Sequence, residues 1–381
     1  MTSLLQRLLR VFGLLIVAVF VLSTVAHASG TGWSVAASPN PSTISNSLQS
    51  VAAISTTKVW AVGYSVQGTT KSNMVKRTLI EHYNGTTWQV VASPNVGTGD
   101  NVLTGVAVLT GNNVWAVGSS PTGALVLHFN GTRWSLVSAP LACQFNAVTA
   151  ISASDMWAVG TLFPRTCAEH YNGTTWSLVP TPFMGTSGNT LLGVSASSSR
   201  NVWAVGTYCV GSGCDQGGGS FQTLIYHYNG SRWSVVPSPN PSYENQLNAV
   251  TVISATGAWA VGNATASSMT RSTLILHFDG ISWVQVVSPS ANDRTSLTGI
   301  AAASATDLYA VGSVETPTQA SVIEHFDGTT WSIVSHPSPG MSNSLNAVAH
   351  VPGAALGTAQ FWAVGNVSTP SSGLTLTERD M

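Results

Sequence analysis

Past residue 28 the chain is written in short apolar runs separated by polar, turn-forming stretches, and no window there shows a helical period. Residues 247–287 show the grammar. Leu247-Asn248-Ala249-Val250-Thr251-Val252-Ile253 is rich in β-branched residues and predicts an inner strand, A. Ser254-Ala255-Thr256-Gly257 is turn chemistry. Ala258-Trp259-Ala260-Val261-Gly262 predicts strand B, with Trp259 and Val261 on one face and the small Ala260 and Gly262 on the other. That contrast suits sheets stacked face to face, where bulk on one sheet needs room in the next. Thr273 to Phe278 predicts strand C, and Trp283 to Val287 strand D. Asp279-Gly280 between them predicts a type I′ hairpin turn, which needs positive φ at both central residues.

The same pattern recurs along the chain. Trp-Ala-Val-Gly, or Tyr-Ala-Val-Gly, begins at Trp60, Trp115, Trp157, Trp203, Trp259, Tyr309 and Trp362, and these seven occurrences number the repeats. A second motif, His82-Tyr83-Asn84-Gly85-Thr86-Thr87-Trp88 in the first repeat, has counterparts ending at Trp134, Trp176, Trp233, Trp283 and Trp331. With Trp33, the two motifs use all 13 tryptophans, leaving none for a special site. The spacing is rigid from Leu48, Leu103, Phe145, Leu191, Leu247 and Leu297 to the next motif, and elastic between strands B and C. Rigid segments read as paired strands, elastic ones as loops.

Four-stranded antiparallel units at this period predict an all-β, seven-bladed β-propeller spanning residues 29–381. There are seven A–B pairs and six complete C–D pairs. Trp33 to Pro39 reads as an orphan strand D and Leu374 to Glu378 as an orphan strand C. The expectation is a ring closed by the N-terminal strand joining the last blade, which removes a free sheet edge.

Glu81-His82-Tyr83-Asn84-Gly85 and Trp88, after Val59 to Gly63, follow the order of the kelch repeat: a strand ending in glycine, a strand reading roughly E-R-Y-D-P, a turn and a Trp. The unit resembles that repeat from about residue 30 to the end, in a variant similar to repeat proteins of secreted bacterial origin. It departs in carrying one glycine where kelch units have two, and in a shorter C–D turn. The resemblance implies a propeller scaffold.

Residues 1–28 read separately. Arg7 and Arg10 precede the apolar run Val11 to Leu22, and Ala26-His27-Ala28 supplies small residues for cleavage after Ala28. This predicts a secretory signal and a secreted or cell-surface protein, with no membrane span once the signal is removed. The run falls short of the roughly 20 residues a spanning helix needs.

Charged residues are 7% of the chain and the net charge is −1, so solubility rests on Ser, Thr, Asn and Gly. No basic stripe marks a nucleic-acid partner. In an oxidising compartment four cysteines read as disulfides. Cys209 and Cys214 share one loop, and Cys143 and Cys167 lie in one repeat and pair by default, although strands A and C of a sheet are not neighbours.

The repeated histidines His82, His128, His170, His227, His277 and His325 are too dispersed by repeat symmetry to gather on one metal, and a structural hydrogen bond is expected of them. Neither metal nor cofactor is expected. Length varies most in the B–C connections, around Tyr64 to Arg77 and Thr207 to Gln222. In a propeller these share a face with the D–A connections, and variable loops on a rigid scaffold carry binding residues. Tyr64, Phe163, Tyr208 and Tyr243 are the candidate ligand-binding residues there. The expected function is an exported, non-catalytic binding or scaffold module, monomeric, engaging an extracellular glycan, cell-wall component or protein. The alternative is an oxidase or glycan-active enzyme with its site in the central funnel, as in the copper oxidases related to galactose oxidase, which share the kelch-like scaffold.

Overall fold

Every Trp-Ala-Val-Gly run lies in the second strand of an antiparallel sheet. In repeat five the strands are Glu244–Ser254, Gly257–Thr265, Arg271–Phe278 and Trp283–Val286, paired in that order from A to D. The computed structural model describes residues 32–380 except 140–142, 186, 212–213, 215–218, 267–269, 290–293, 316–317, 356–357 and 359. The expected signal segment lies outside the described residues.

Repeats two, three, four and six build the same four-stranded sheet. The remaining eight strands form one sheet. Ser45–Ser55, Lys58–Gln67, Val75–Tyr83 and Trp88–Val90 connect through a single parallel bridge, Ser45 to Gly373, with the strands of repeat seven. Those are Ser342–His350, Phe361–Ser368 and Gly373–Asp380, with Trp33–Val35 alongside. Trp33 stands opposite Asp380 and Val35 opposite Glu378, so the first and last strands of the described chain pair antiparallel. The outer strands are shorter than the sequence predicts, three or four residues each. The chain leaves the ladder before the prolines of Ser38-Pro39, Ser93-Pro94 and Ser238-Pro239, which cannot donate to it.

The glycine of the repeat has a different reason from the one its strand pattern suggests. Each inner strand bulges after its recurring apolar residue, at Leu247/Ala249 in repeat five and Leu48/Ser50 in repeat one. The bulge drives a backbone carbonyl toward the second strand. A Cβ on Gly262 would collide with the Gln246 carbonyl and stand 2.9 Å from Leu247 Cα, and the other six motif glycines meet the equivalent carbonyl. Room is needed within the sheet, not in the next one.

The hairpin turn also differs. Tyr83 pairs with Trp88, so four residues, Asn84 to Thr87, span the connection instead of the two of a type I′ turn. Asn84 Oδ1 organises it by accepting from the Thr86 and Thr87 amides, both at 3.0 Å, and from the Thr86 hydroxyl at 2.8 Å. Gly85 supplies the positive φ, 102°. Asp327 accepts the same bonds in repeat six, which is why Asn and Asp interchange there.

The hydrophobic cores lie between successive repeats. Trp203 and Val205 of repeat four pack with Leu247, Val250, Leu276 and Trp283 of repeat five. Leu48, Val59 and Leu79 of repeat one pack in the same way with Trp362 and Val364 of repeat seven. Each strand-B tryptophan meets the strand-D tryptophan of the following repeat edge-on, as Trp203 meets Trp283 with ring centroids 5.3 Å apart and Trp157 meets Trp233 at 5.1 Å. The two tryptophan series of the sequence are thus two halves of one inter-sheet contact. Trp33 meets Tyr309 of repeat six at 5.4 Å, taking the strand-D position beside repeat seven.

The cysteines form two disulfides, Cys143–Cys167 with Cα atoms 6.4 Å apart and Cys209–Cys214 at 6.0 Å. Cys143 stands just ahead of the strand Gln144–Ser152 and is not held in its ladder. Cys167 faces Gly160 on the intervening strand, where no side chain stands in the way. That arrangement joins two strands that are not neighbours.

Candidate binding face and central cavity

The inner strands supply the site. At the bulge each repeat turns a small residue inward: Ser50, Gly105, Ala147, Gly193, Ala249, Gly299 and Ala347. Small residues are required because neighbouring inner strands approach closely, and a Cβ on Gly193 or Gly299 would lie 2.9 Å from Cα of Ala249 or Ala347. Together they border one cavity of about 440 Å³ lined by residues of all seven repeats.

The residue just before each small one stitches the sheets together. Thr104 donates to the Phe145 carbonyl, Asn146 to Leu191, Asn248 to Leu297, Thr298 to Leu345 and Asn346 to Leu48, at 2.6–2.7 Å. The bulge frees these carbonyls from their own ladder, and the neighbouring side chain satisfies them. Repeats one and four carry Gln49 and Leu192 at this place. There a serine is the acceptor instead, Ser50 for the Val106 amide and Ser195 for the Val252 amide.

Beside the cavity is a second recess of about 360 Å³, which shares Gln246, Asn248 and Thr298 with it. It opens where strand A of repeat five begins, where strand B ends and where strand C starts, so it belongs to the B–C and D–A face. Two rungs of the sheet form its floor. Gln246 stands opposite Asn263, while Glu244 stands opposite Thr265, which in turn faces Arg271. Gln246 Nε2 donates to Asn248 Oδ1 at 2.7 Å, and Asn263 Oδ1 accepts from Ser296 at 3.1 Å. Arg271 makes an ion pair with Glu315 at 3.0 Å, while its Nε is buried with no acceptor among the described residues.

The four aromatic residues singled out by the sequence stand in four different repeats and are not gathered into one site. Tyr64 and Tyr208 lie within strands, because the B–C hairpins of repeats one and four extend to Gln67 and Val210. Tyr64 is half-buried with Lys76 Nζ 4.6 Å above its ring, and Tyr208 packs on the core between repeats three and four. Phe163 is 68% exposed at the turn before Arg165. Tyr243, 53% exposed, directly precedes Glu244 and so adjoins the recess.

The architecture can now be set beside known ones. No protein family matches the chain, and no curated protein does. Solved structures do. YCF48 bound to D1 peptide shares 14% identity, covering 92% of this chain and 96% of that one, with a TM-score of 0.56. The RRP9 WD40 repeats share 6% over 92% and 97%, TM-score 0.58, and virginiamycin B lyase from Staphylococcus aureus 11% over 92% and 100%, TM-score 0.56. The fold is a β-propeller. At these identities the likeness speaks to the fold alone.

Two series of titratable residues recur with the repeat. The repeat histidines stack on the strand-B aromatic of their own sheet at 4.2–4.7 Å. Four also bond through Nε2 to a side chain at the start of strand B: His128 to Asn113, His170 to Asp155, His227 to Asn201 and His325 to Asp307, at 2.9–3.0 Å. Burial lowers the pKa of His82, His128, His227 and His277. Among the described residues no three His, Cys, Asp or Glu side chains converge on a common point.

The second series was missed in the sequence. Glu81, Glu169, Glu324 and Glu378 on strand C are fully buried between sheets. Burial pushes Glu81 up to about 8 and Glu169 up to about 7. Glu324 also rises to about 7, because burial outweighs the opposing hydrogen bond from Ser288, 2.7 Å. Glu378 instead meets His336 Nδ1 at 3.1 Å. Burial works to lower His336, but the bond and charge of Glu378 together with backbone bonds at Ser321 and Pro337 outweigh it and hold the imidazole above its usual value. A signal existed: each glutamate directly precedes the repeat His or, at Glu378, an Arg, on the inward phase of an otherwise apolar strand.

Proposed function

We propose that this protein is an exported, non-catalytic binding or scaffold module, built on a kelch-like ring of seven blades closed by its N-terminal strand. Its ligand, a glycan, cell-wall component or protein, docks on the B–C and D–A face. The closed ring is supported by the pairing of Trp33–Val35 with Glu378–Asp380 and by the Asn346 bond to Leu48. The kelch-like character rests on the strand order and the Glu-His-Tyr-Asn-Gly motif. Export is supported by the residue 1–28 pattern and fits the two disulfides, which persist in oxidising compartments.

One observation carries the binding reading. The cavity is lined by amide, hydroxyl and apolar groups, and the recess beside it adds a single carboxylate, Glu244, where acid–base hydrolysis would call for two. A similar propeller, YCF48, has been seen with a bound peptide, and another is a lyase, so the fold alone accommodates either role. The test is binding of the purified protein to arrays of defined oligosaccharides and of 15-residue peptides. Gln246→Trp, which crowds the recess, should abolish retention, while Ala153→Trp on the opposite face should not. Eluted ligand should be unchanged in mass, whereas a ligand altered in mass would instead establish a catalytic funnel.

A further inference from the structure

We propose that the recess at the head of repeat five is a sugar-binding pocket, taking one uncharged ring of an oligosaccharide. This rests on the binding reading above and names its ligand.

The polar groups on its floor have defined capacity left. Asn263 uses Oδ1 on Ser296 and keeps its amide hydrogens, while Gln246 uses its amide hydrogens on Asn248 and keeps Oε1. These two stand directly opposite each other across the strands, one donor beside one acceptor. One rung further out, the Glu244 carboxylate and the Arg271 guanidinium flank Thr265, again acceptor and donor on one row. Adjacent ring hydroxyls, each able to donate and accept, match two rows of alternating donors and acceptors. Phe221, half-buried, forms an apolar wall against which the C–H face of a sugar ring can lie.

Charge and shape decide against other ligands. The described charged groups around the recess, Glu244 and Glu315 against Arg271 and Arg294, balance in sign, which favours an uncharged ligand. Its volume of about 360 Å³ sits at the small end of ligand pockets, roughly 300–1,000 Å³. That size suits one ring better than an extended peptide, which needs a groove.

The experiment uses a microarray of glucose, mannose and N-acetylglucosamine hexasaccharides, with a parallel array of 15-residue peptides. Wild-type protein should retain at least one hexasaccharide. Phe221→Ala and Asn263→Ala should each weaken that retention tenfold or more, with thermal melts showing that both variants remain folded. If Phe221→Ala unfolds, Asn263→Ala and Arg271→Gln decide. Retention of no hexasaccharide, or equal retention by all variants, overturns the proposal. Peptide retention lost in Gln246→Trp would leave the binding reading standing and this inference fallen. Silence on both arrays would remove both.

Discussion

Asn346 Nδ2 donates to the Leu48 carbonyl at 2.7 Å, joining two residues 298 positions apart. The bond recurs between other successive repeats because each inner-strand bulge leaves one carbonyl without a ladder partner. Asn346→Ala should therefore destabilise the protein by about 1–2 kcal/mol, the cost of stranding a buried acceptor. Leu192→Asn, at a place where this bond is absent, should raise the urea midpoint. Unchanged midpoints in both variants would show that the bulge carbonyls need no partner.

The N-terminal strand should be indispensable. Trp33 is buried with Val311, Ile323, Phe361 and Leu376, and the segment behind it bonds through Ala36 N to Thr377 O at 2.9 Å and Asn40 Oδ1 to Thr375 N at 2.7 Å. Trp33→Ala should cost about 3–5 kcal/mol. Deleting residues 29–40 should cause aggregation or a large fall in melting temperature. A truncated chain that melts like the intact one would rule out the closed ring.

The buried glutamates make stability fall as pH rises. Glu81 is pushed up to about 8 in the folded protein, against an ordinary value near 4.5. Between those values the unfolded chain releases a proton that the folded chain keeps. Stability at this site is therefore lost with increasing pH, by about 1.4 kcal/mol per pH unit when the difference is a whole proton. Glu169 and Glu324 act in the same sense up to about 7. Glu81→Gln should flatten the decline in melting temperature between pH 5 and 8, and an equal slope in both proteins would contradict the buried, protonated acid.

In the C–D loops, Asn84→Asp should be nearly neutral, since Asp327 already performs the same role in repeat six. Asn84→Ala should cost about 1 kcal/mol, like the loss of a cap. Thermal melts of the two variants separate these outcomes. Equal losses would mean that the turn glycine, not the Oδ1 acceptor, holds the loop.

The placement of the pocket was only partly legible. Its face followed from the uneven B–C lengths, and Tyr243 from its position ahead of an inner strand. Glu244, Gln246 and Asn263 did not stand out, because a polar residue on a strand looks solvated until its neighbours across the sheet are known. Gln246 gains meaning only from the register that sets it opposite Asn263. Phe221 enters from the neighbouring repeat, a relation that no spacing within one repeat encodes.

The sequence alone determined the strand grammar, the repeat and the role of Trp33 as a strand-D residue, because these rest on periodicity and local backbone chemistry, whereas the four-residue form of the turns came from the structure. Tertiary structure decided why each motif ends in glycine, since the colliding carbonyl comes from a bulge on a strand that sequence pattern treats as regular. It decided that Cys143 reaches Cys167 across Gly160, and that Glu81 and Glu169 are buried as acids. Burial and close approach are sums over neighbours from distant parts of the chain, and only folding brings those neighbours together.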